Sequence, residues 1–228
     1  MDNDQMLADF HHNRGDIQRT LETINEWALR AVDSADSGIL LMGGRSRSET
    51  VVATSPRVTE AHDLQISFGE GPCLEVVKPG NPGSFIVGDT EKDTRFPRWA
   101  PAAAAMNLRS VISAVLETNE KRFGSLNVYS DRPEAFTVDD EEAIEIFSRR
   151  AARAIAVAEE STGLMRALDT RKVVGQAQGI VMERFDLDGD RSLEFLMRLS
   201  QNRNVKLREV ATWIIDHRDD DSLADPEF

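Results

Sequence analysis

The sequence predicts an α+β protein in which a mainly antiparallel sheet with flanking helices is joined by a long linking helix to an all-α domain of three helices. Three observations predict it. Short runs rich in Val, Ile, Thr, Phe and Tyr, separated by Gly, Pro, Asp and Ser, fill the chain before residue 131. No proline then interrupts residues 137–185, where apolar residues recur at helical spacing. Two further apolar stripes at that spacing follow.

The sheet domain is expected over residues 13–160, after a polar and flexible start at residues 1–12. An apolar stripe from Ile17 to Val32 predicts its first helix. Helices set to one side or end of the sheet are typical of this class. The predicted strands are SGILLM, TVVATS, SFIVGD, RSVISAVLE and GSLNVYS, with an alanine-rich helical piece, WAPAAAAMNL, and a loop, FGEGPCLEVVKPGNPG, between them.

The long helix is predicted to begin at Thr137, because a threonine cap is followed by Asp140 and by further acids in the first turn. A helix much longer than 25 residues is typical of a coiled coil or a linker between modules. Ser161-Thr162-Gly163 is its weak point, so we place the domain boundary there. The apolar stripe of residues 138–165 continues beyond the sheet domain, which predicts a homodimer through this helix.

The three-helix domain is expected over residues 161–218. Asp190 is predicted to cap the second helix, which ends near residues 202–204. Apolar residues from Leu207 to Ile215 predict the third helix. Residues 219–228 are expected to be an acidic, disordered tail.

Charge changes sign along the chain. Residues 1–160 carry a net charge of −10, residues 161–218 carry +2 and residues 219–228 carry −5, within a total of −13. The segment of reversed sign is where an anionic partner is to be sought.

No apolar run is long enough to cross a membrane, and the acidic start lacks a signal-peptide pattern, so a cytoplasmic protein without a membrane partner is expected.

Catalytic and metal-binding patterns are not found, so we predict neither an enzyme nor a metal site. The four histidines match no catalytic motif. Asp186, Asp188 and Asp190 fail the spacing of a calcium loop, since Gly189 is misplaced. The lone Cys73 could be a redox thiol or a chromophore anchor, but it has acidic neighbours and no basic one, so we interpret it as a buried structural residue.

Two glycines inside the long helix, Gly175 and Gly179, raise a separate question, because each costs about 1 kcal/mol relative to alanine. They could let a neighbouring helix of the same bundle approach closely. They could instead make room for a nucleic-acid backbone or base. Spacing alone leaves both readings open. The residues around them that could contact RNA through charge or amide groups are Arg171, Lys172, Gln176, Gln178, Arg184, Asn204, Lys206 and Arg208.

The string VVGQAQGIVMERF, followed by LEFLMRLSQNRNVKLREVA, resembles the ANTAR domain, a three-helix RNA-binding module of bacterial antitermination regulators. The match includes Ser200 and Gln201, which join the candidate RNA-binding residues. It departs from the family at Ser192-Leu193, where Ala-Phe is usual, and at Gln178, where lysine is common. The strings FGEGPCLEVV, GDTEKDTRFPRWA, LRSVISAVLE and FGSLNVYSDRPEAFT resemble a GAF domain of the actinobacterial type.

The resemblance implies a transcription antiterminator. Such a protein binds paired stem-loops in a nascent leader RNA, as a dimer with one ANTAR domain for each loop. A GAF domain implies a small-molecule sensor or a dimerisation module. The strings contain no cyclic-nucleotide signature, so the ligand and any cofactor stay open. The alternative is a GAF-type ligand or redox sensor whose helical end mediates protein contact.

Overall fold

The computed structural model describes residues 5–6, 8–9, 16–43 and 47–218. Contacts divide the chain into two units, Met1–Ser161 and Thr162–Phe228. The described helices and strands, in chain order, are α1 (Ile17–Ala31), β1 (Asp36–Gly43), β2 (Arg47–Ala53), α2 (Pro56–Phe68), α3 (Pro72–Val76), β3 (Ser84–Val87), α4 (Trp99–Ala105), β4 (Ser110–Glu117), β5 (Arg122–Ser130), α5 (Val138–Phe185), α6 (Gly189–Arg203) and α7 (Leu207–Asp216).

The five strands form one antiparallel sheet in the order β2-β1-β5-β4-β3, which confirms the predicted α+β class. The sequence analysis expected helices on one side or at one end of the sheet. In the structure, helices cover both faces of the sheet. Ile24 of α1 and Phe147 of α5 belong to the core on one face. Val58 of α2 and Trp99 of α4 belong to the core on the other. Because both faces are covered, β4 and β5 are buried along almost their whole length.

Helices α2 and α3 were not predicted. Helix α2 has ordinary boundary residues, with Pro56 in its first turn and Gly69 in the left-handed conformation (φ 69°) at its end. Its buried face, however, includes the polar residues His62 and Gln65, so it lacks an apolar stripe. Helix α3 lies in the segment expected to be a loop.

The start of α5 is capped as predicted. The Thr137 backbone N–H donates to Asp140 Oδ2 at 2.8 Å, and the Asp140 N–H donates to Thr137 Oγ1 at 3.2 Å. This reciprocal pair satisfies two N–H groups that a helix start leaves open. Helix α5 then runs without a break through Ser161-Thr162-Gly163 to Phe185.

The second unit is a three-helix bundle around a small apolar core. The cap of α6 was predicted wrongly, because Asp188 and not Asp190 accepts the Arg191 N–H, at 2.8 Å. Asp190 lies instead in the first turn of that helix. Asn204 ends α6 in the left-handed conformation (φ 52°). The core residues are Val174, Ala177, Val181, Leu196, Val210, Ala211 and Ile214.

Two pairs of residues, 5–6 and 8–9, are described within the segment 1–12 that was expected to be flexible. Met6 is fully buried in the core, and Trp27 Nε1 donates to Asp9 Oδ2 at 3.1 Å. The other residues of 1–12, and the acidic segment 219–228, lie outside the described part of the chain.

Candidate nucleic-acid interface

Two contacts fix the direction of α7 beside α5. At the start of α7, Arg208 forms an ion pair with Asp169 of α5. Just beyond its end, the Arg218 carbonyl accepts a hydrogen bond from Arg184 Nη1 at 3.2 Å. The two helices therefore run in the same direction. Asp169 and Arg184 are separated by about 22 Å along α5, at 1.5 Å per residue.

Charge differs between the two ends of this bundle. One end, called the basic end below, comprises residues 162–172 of α5 and residues 203–209 around the α6–α7 turn. It carries six basic side chains against two acidic ones. The opposite end, residues 183–194, carries five acidic side chains against two basic ones and is called the acidic end. The basic side chains of the basic end are Arg166, Arg171, Lys172, Arg203, Lys206 and Arg208.

The two helical glycines lie on the exposed side of α5. Gly175 and Gly179 are exposed, and a Cβ added to either would meet nothing within 4 Å. The buried residues Val174, Ala177 and Val181 point to the other side, into the bundle core. Close approach of a helix of the same bundle is therefore the wrong explanation for these glycines. We call the exposed surface formed by Lys172, Gly175, Gln176 and Gly179 the glycine face.

Comparison with known families identifies both units. The GAF domain family matches residues 15–156, more than half of the chain, and the ANTAR domain family matches residues 162–215. The chain is a GAF–ANTAR protein. This architecture supports a regulator in which a GAF domain is linked to an RNA-binding antitermination module. Both matched domains are regulatory ones.

Solved structures support the fold of the GAF domain. A domain of a putative two-component sensor histidine kinase from Sinorhizobium meliloti shares 18% identity at a TM-score of 0.52, covering 69% of this chain and 98% of that one. Free methionine-R-sulfoxide reductase from Neisseria meningitidis, in complex with its substrate, shares 16% identity at a TM-score of 0.51, covering 69% and 90%. At these identities the likeness shows the fold alone. No curated protein matches the sequence significantly.

The ANTAR domain brings five of the ten predicted RNA-binding residues to its basic end. Arg171, Lys172, Lys206 and Arg208 lie there, and Asn204 forms the turn beside them. Arg184 lies at the acidic end, about 20 Å along α5 from Arg171. The ten candidates therefore do not form one compact surface.

Three of the polar candidates have roles inside the ANTAR domain. Gln178 Nε2 donates to the Gly189 carbonyl at 3.1 Å, which ties α5 to the start of α6. Ser200 Oγ donates to the Val205 carbonyl at 2.6 Å, and the Asn204 N–H caps α6. The contacts of Ser200 and Asn204 position the α6–α7 turn. Gln176 and Gln201, by contrast, are exposed.

Arg166 is an exposed residue of the basic end that the sequence analysis did not select. It stands outside the string that resembles the family. The up-down-up order of the three helices could have identified it. In that order the end of α6 lies beside the first turns of the domain, where Arg166 is located.

The GAF domain has a buried polar cluster between the sheet and α2. Asn127 Nδ2 donates to the Gly38 carbonyl at 3.3 Å and lies 3.3 Å from His62 Nε2, so this ring nitrogen accepts. His62 Nδ1 then carries the proton and donates to Thr50 Oγ1 at 3.0 Å. Burial lowers the pKa of His62 to about 3. The neutral imidazole therefore joins α2 to two strands.

Cys73 lies in the same interior and is fully buried. Gln65 Nε2 donates to its sulfur at 2.8 Å, and Gln65 Oε1 accepts the Cys73 N–H at 2.8 Å. Burial raises the pKa of the thiol to about 11. The acidic neighbours have other partners, because the Glu70 carboxylate accepts two backbone N–H groups and Glu75 pairs with a lysine.

Within the residues that the structure describes, no helix is both long and apolar enough to cross a bilayer.

Proposed function

We propose that this protein is a transcription antitermination regulator whose ANTAR domain binds paired stem-loops in a nascent leader RNA. Binding holds the RNA in that form against a competing terminator hairpin, so that polymerase reads through. The observation that carries the proposal is the juxtaposition of the basic end with the glycine face. Lys172 belongs to both.

The basic end supplies phosphate contacts. Lys206 is the N-cap residue of α7. The first backbone N–H groups of a helix and the positive end of its dipole favour a phosphate at this position. Lys172 and Lys206 are exposed, and Arg208 keeps about half of its side chain exposed beside Asp169. Phosphate contacts position a protein on RNA without reading sequence.

The glycine face supplies close approach and base contacts. Without side chains at Gly175 and Gly179, an RNA loop can reach the helix backbone. The exposed amide of Gln176 can donate to and accept from an unstacked base, and so can the exposed amide of Gln201 on α6. Sequence-specific RNA recognition relies mainly on unstacked bases in loops.

Charge reversal at the basic end tests this function. Lys172→Glu is expected to weaken binding of a stem-loop pair by roughly 10- to 50-fold at physiological salt, because it removes a phosphate contact and adds repulsion. The RNA is obtained by sequencing what co-purifies with the full chain and transcribing it. Affinity is measured by fluorescence anisotropy at several salt concentrations.

Arg191→Glu is the matched control, because it changes the net charge equally at the acidic end, where Arg191 keeps 73% of its side chain exposed. It is expected to leave the affinity within about twofold. An equal loss in both variants would show a general charge effect and contradict the interface.

A homodimer would place one ANTAR domain on each loop and make the second binding event intramolecular. Some of the apolar residues that were expected to form the dimer interface are not accessible to a second copy. Ile144, Phe147 and Ile155 are buried against the protein's own sheet. The exposed apolar residues of α5 now carry the proposal. Leu164 and Leu168 keep 61% and 52% of their surface exposed, one helical turn apart.

Leu164→Asp with Leu168→Asp is expected to halve the mass measured by light scattering, from twice the chain mass of 25.4 kDa to that mass. Charge on both positions would oppose burial of this face against a second copy. Met197→Asp on α6, where the side chain is 44% exposed, is the control and should leave the mass unchanged. A parent protein that is already monomeric at micromolar concentration would contradict the dimer.

The second candidate is a GAF-type sensor whose helices bind only protein. The exposed leucines of α5 favour it, since a protein surface would bury them. The concentration of basic side chains at one end of the ANTAR domain favours RNA instead. The salt-dependent titration separates the two, because a protein-only module would give no stem-loop binding.

A further inference from the structure

The two edges of the GAF sheet differ in how they are closed. Strand β3 forms one edge, where the Ile86 carbonyl accepts from Arg95 Nη2 at 3.0 Å and the Gly88 carbonyl accepts the Glu134 N–H at 2.6 Å. Strand β2 forms the other edge, and no strand of the described chain pairs with its far side. An open edge presents backbone groups to which a further strand can bond.

Ala53 of β2 directs its backbone groups away from the sheet. The Thr54 N–H donates to the Ser37 carbonyl at 3.0 Å, so this pair bonds towards β1, and Ala53 lies opposite Gly38 in the next pair. Because bonded and non-bonded pairs alternate in an antiparallel ladder, the N–H and carbonyl of Ala53 point outward. The register shifts at Val51, which has no partner in β1, so Ala53 is where a docked segment would bond.

A groove follows the open edge of β2, and α2 forms its other wall. Its two halves share Thr59 and Asp63 of α2 and together extend along the chain from Ser48 to Ser55. Eight residues of extended chain correspond to about 26 Å. Ile66 of α2, which keeps 37% of its surface exposed, gives the groove an apolar contact. The groove therefore has the length and the mixed lining that an extended peptide requires.

The charge of the groove selects among possible occupants. The described residues that line it include three exposed acids, Glu49, Glu60 and Asp63, and no basic residue. None of the three forms an ion pair with a residue of the described chain. A second copy would place its own acids against them, and like charges across a strand pair are unfavourable. A strand with Lys or Arg at every second position instead presents a row of cations on one face.

We propose that the groove beside β2 binds an extended basic segment of a partner protein, which joins the GAF sheet as a further strand. Backbone hydrogen bonds to Ala53 align the segment, and its basic side chains pair with Glu60 and Asp63 of α2. The inference concerns the GAF domain and does not rest on RNA binding by the ANTAR domain. It gives the GAF domain a protein partner of defined chemistry.

Two matched double variants of the full chain test the charge contact. The probe is a fluorescein-labelled octapeptide of alternating lysine and valine with blocked ends. Glu60→Gln with Asp63→Asn is expected to weaken its binding by about three- to tenfold at low ionic strength, since two exposed ion pairs are lost. Glu22→Gln with Glu26→Gln changes the net charge equally on the exposed side of α1, which packs on the other sheet face, and should alter affinity by less than about twofold. Equal weakening by both pairs, or no binding by the parent, would overturn the proposal.

Strand addition is tested separately from charge. Amide hydrogen exchange followed by NMR is expected to slow by at least about tenfold at Ala53 when the peptide is bound, because its N–H gains a partner. The same peptide with every backbone nitrogen methylated keeps its charge but cannot donate, and is expected to bind at least about tenfold more weakly. Unchanged exchange at Ala53, or equal affinity of the two peptides, would show charge attraction without strand pairing and overturn the inference.

Discussion

Gly179→Leu is expected to weaken stem-loop binding by more than about 100-fold while leaving the ANTAR domain at least as stable as the parent. The leucine side chain would fill the space through which the proposed interface places an RNA loop. Nothing in the folded chain opposes it, because a Cβ at Gly179 has no neighbour within 4 Å. Replacing a helical glycine with leucine also favours the helix by roughly 0.8 kcal/mol.

Gly163→Leu is the control, because Gly163 lies on the same helix, also has no neighbour within 4 Å and is outside the glycine face. It should raise stability similarly and leave affinity within about twofold. Circular dichroism melting measures the first quantity and anisotropy titration the second. Unchanged RNA affinity of the Gly179 variant would reject the glycine face. Loss of the dimer with RNA affinity retained would assign the face to a second copy.

The GAF domain is expected to lose about 3 kcal/mol of stability between pH 7 and pH 4 through His62 alone. Burial holds the pKa of His62 at about 3, against an ordinary value of 6.5. Between these values the unfolded chain binds a proton that the folded chain does not, so stability falls as pH falls through this window. Each unit of pKa difference corresponds to about 1.4 kcal/mol.

Urea unfolding of the parent and of His62→Gln, each at pH 7 and pH 4, isolates this effect. The glutamine amide can still donate and accept between Thr50 and Asn127, but it does not titrate. The hydrogen bonds of Asp36 and its contact with Arg57 outweigh its burial and lower its pKa from 3.8, so its contribution to stability is lost mainly below pH 4 and equally in both proteins. The difference between the two pH dependences belongs to His62. Equal dependences would show that the imidazole is not held neutral.

The strands could be predicted because their signal is local. Residue type alone predicts a strand over Val111 to Leu116, and the structure places these residues in β4. Helix α2 could not be predicted from an apolar stripe, because its inner face contacts a polar cluster through His62 and Gln65. Both sheet faces are covered because α2 and α4 pack on the face opposite to α1 and α5. The face on which a helix packs depends on the tertiary fold and cannot be predicted from a local sequence pattern.

The candidate site was partly predictable for the same reason. The charge pattern around the two glycines selected Lys172, Lys206 and Arg208, and the structure brings them to one end. It also selected Arg184, which lies at the other end, because about 20 Å of the same helix separates it from Arg171. The open surroundings of Gly175 and Gly179 are likewise a property of the assembled bundle and not of their spacing.

The pairing of β1 with β5 has a consequence for synthesis of the chain. Asp36 lies opposite Tyr129, and Leu41 lies opposite Gly124. Strand β1 therefore cannot form this pairing until β5, about 80 residues later in the chain, has been translated. Until then the emerging chain exposes Ile39 and Leu40, which are fully buried in the finished sheet. Contacts of the ANTAR helices are far more local, and local contacts form faster. On the ribosome, the GAF sheet is therefore the slow, aggregation-exposed step, and the bundle forms as soon as α7 is released.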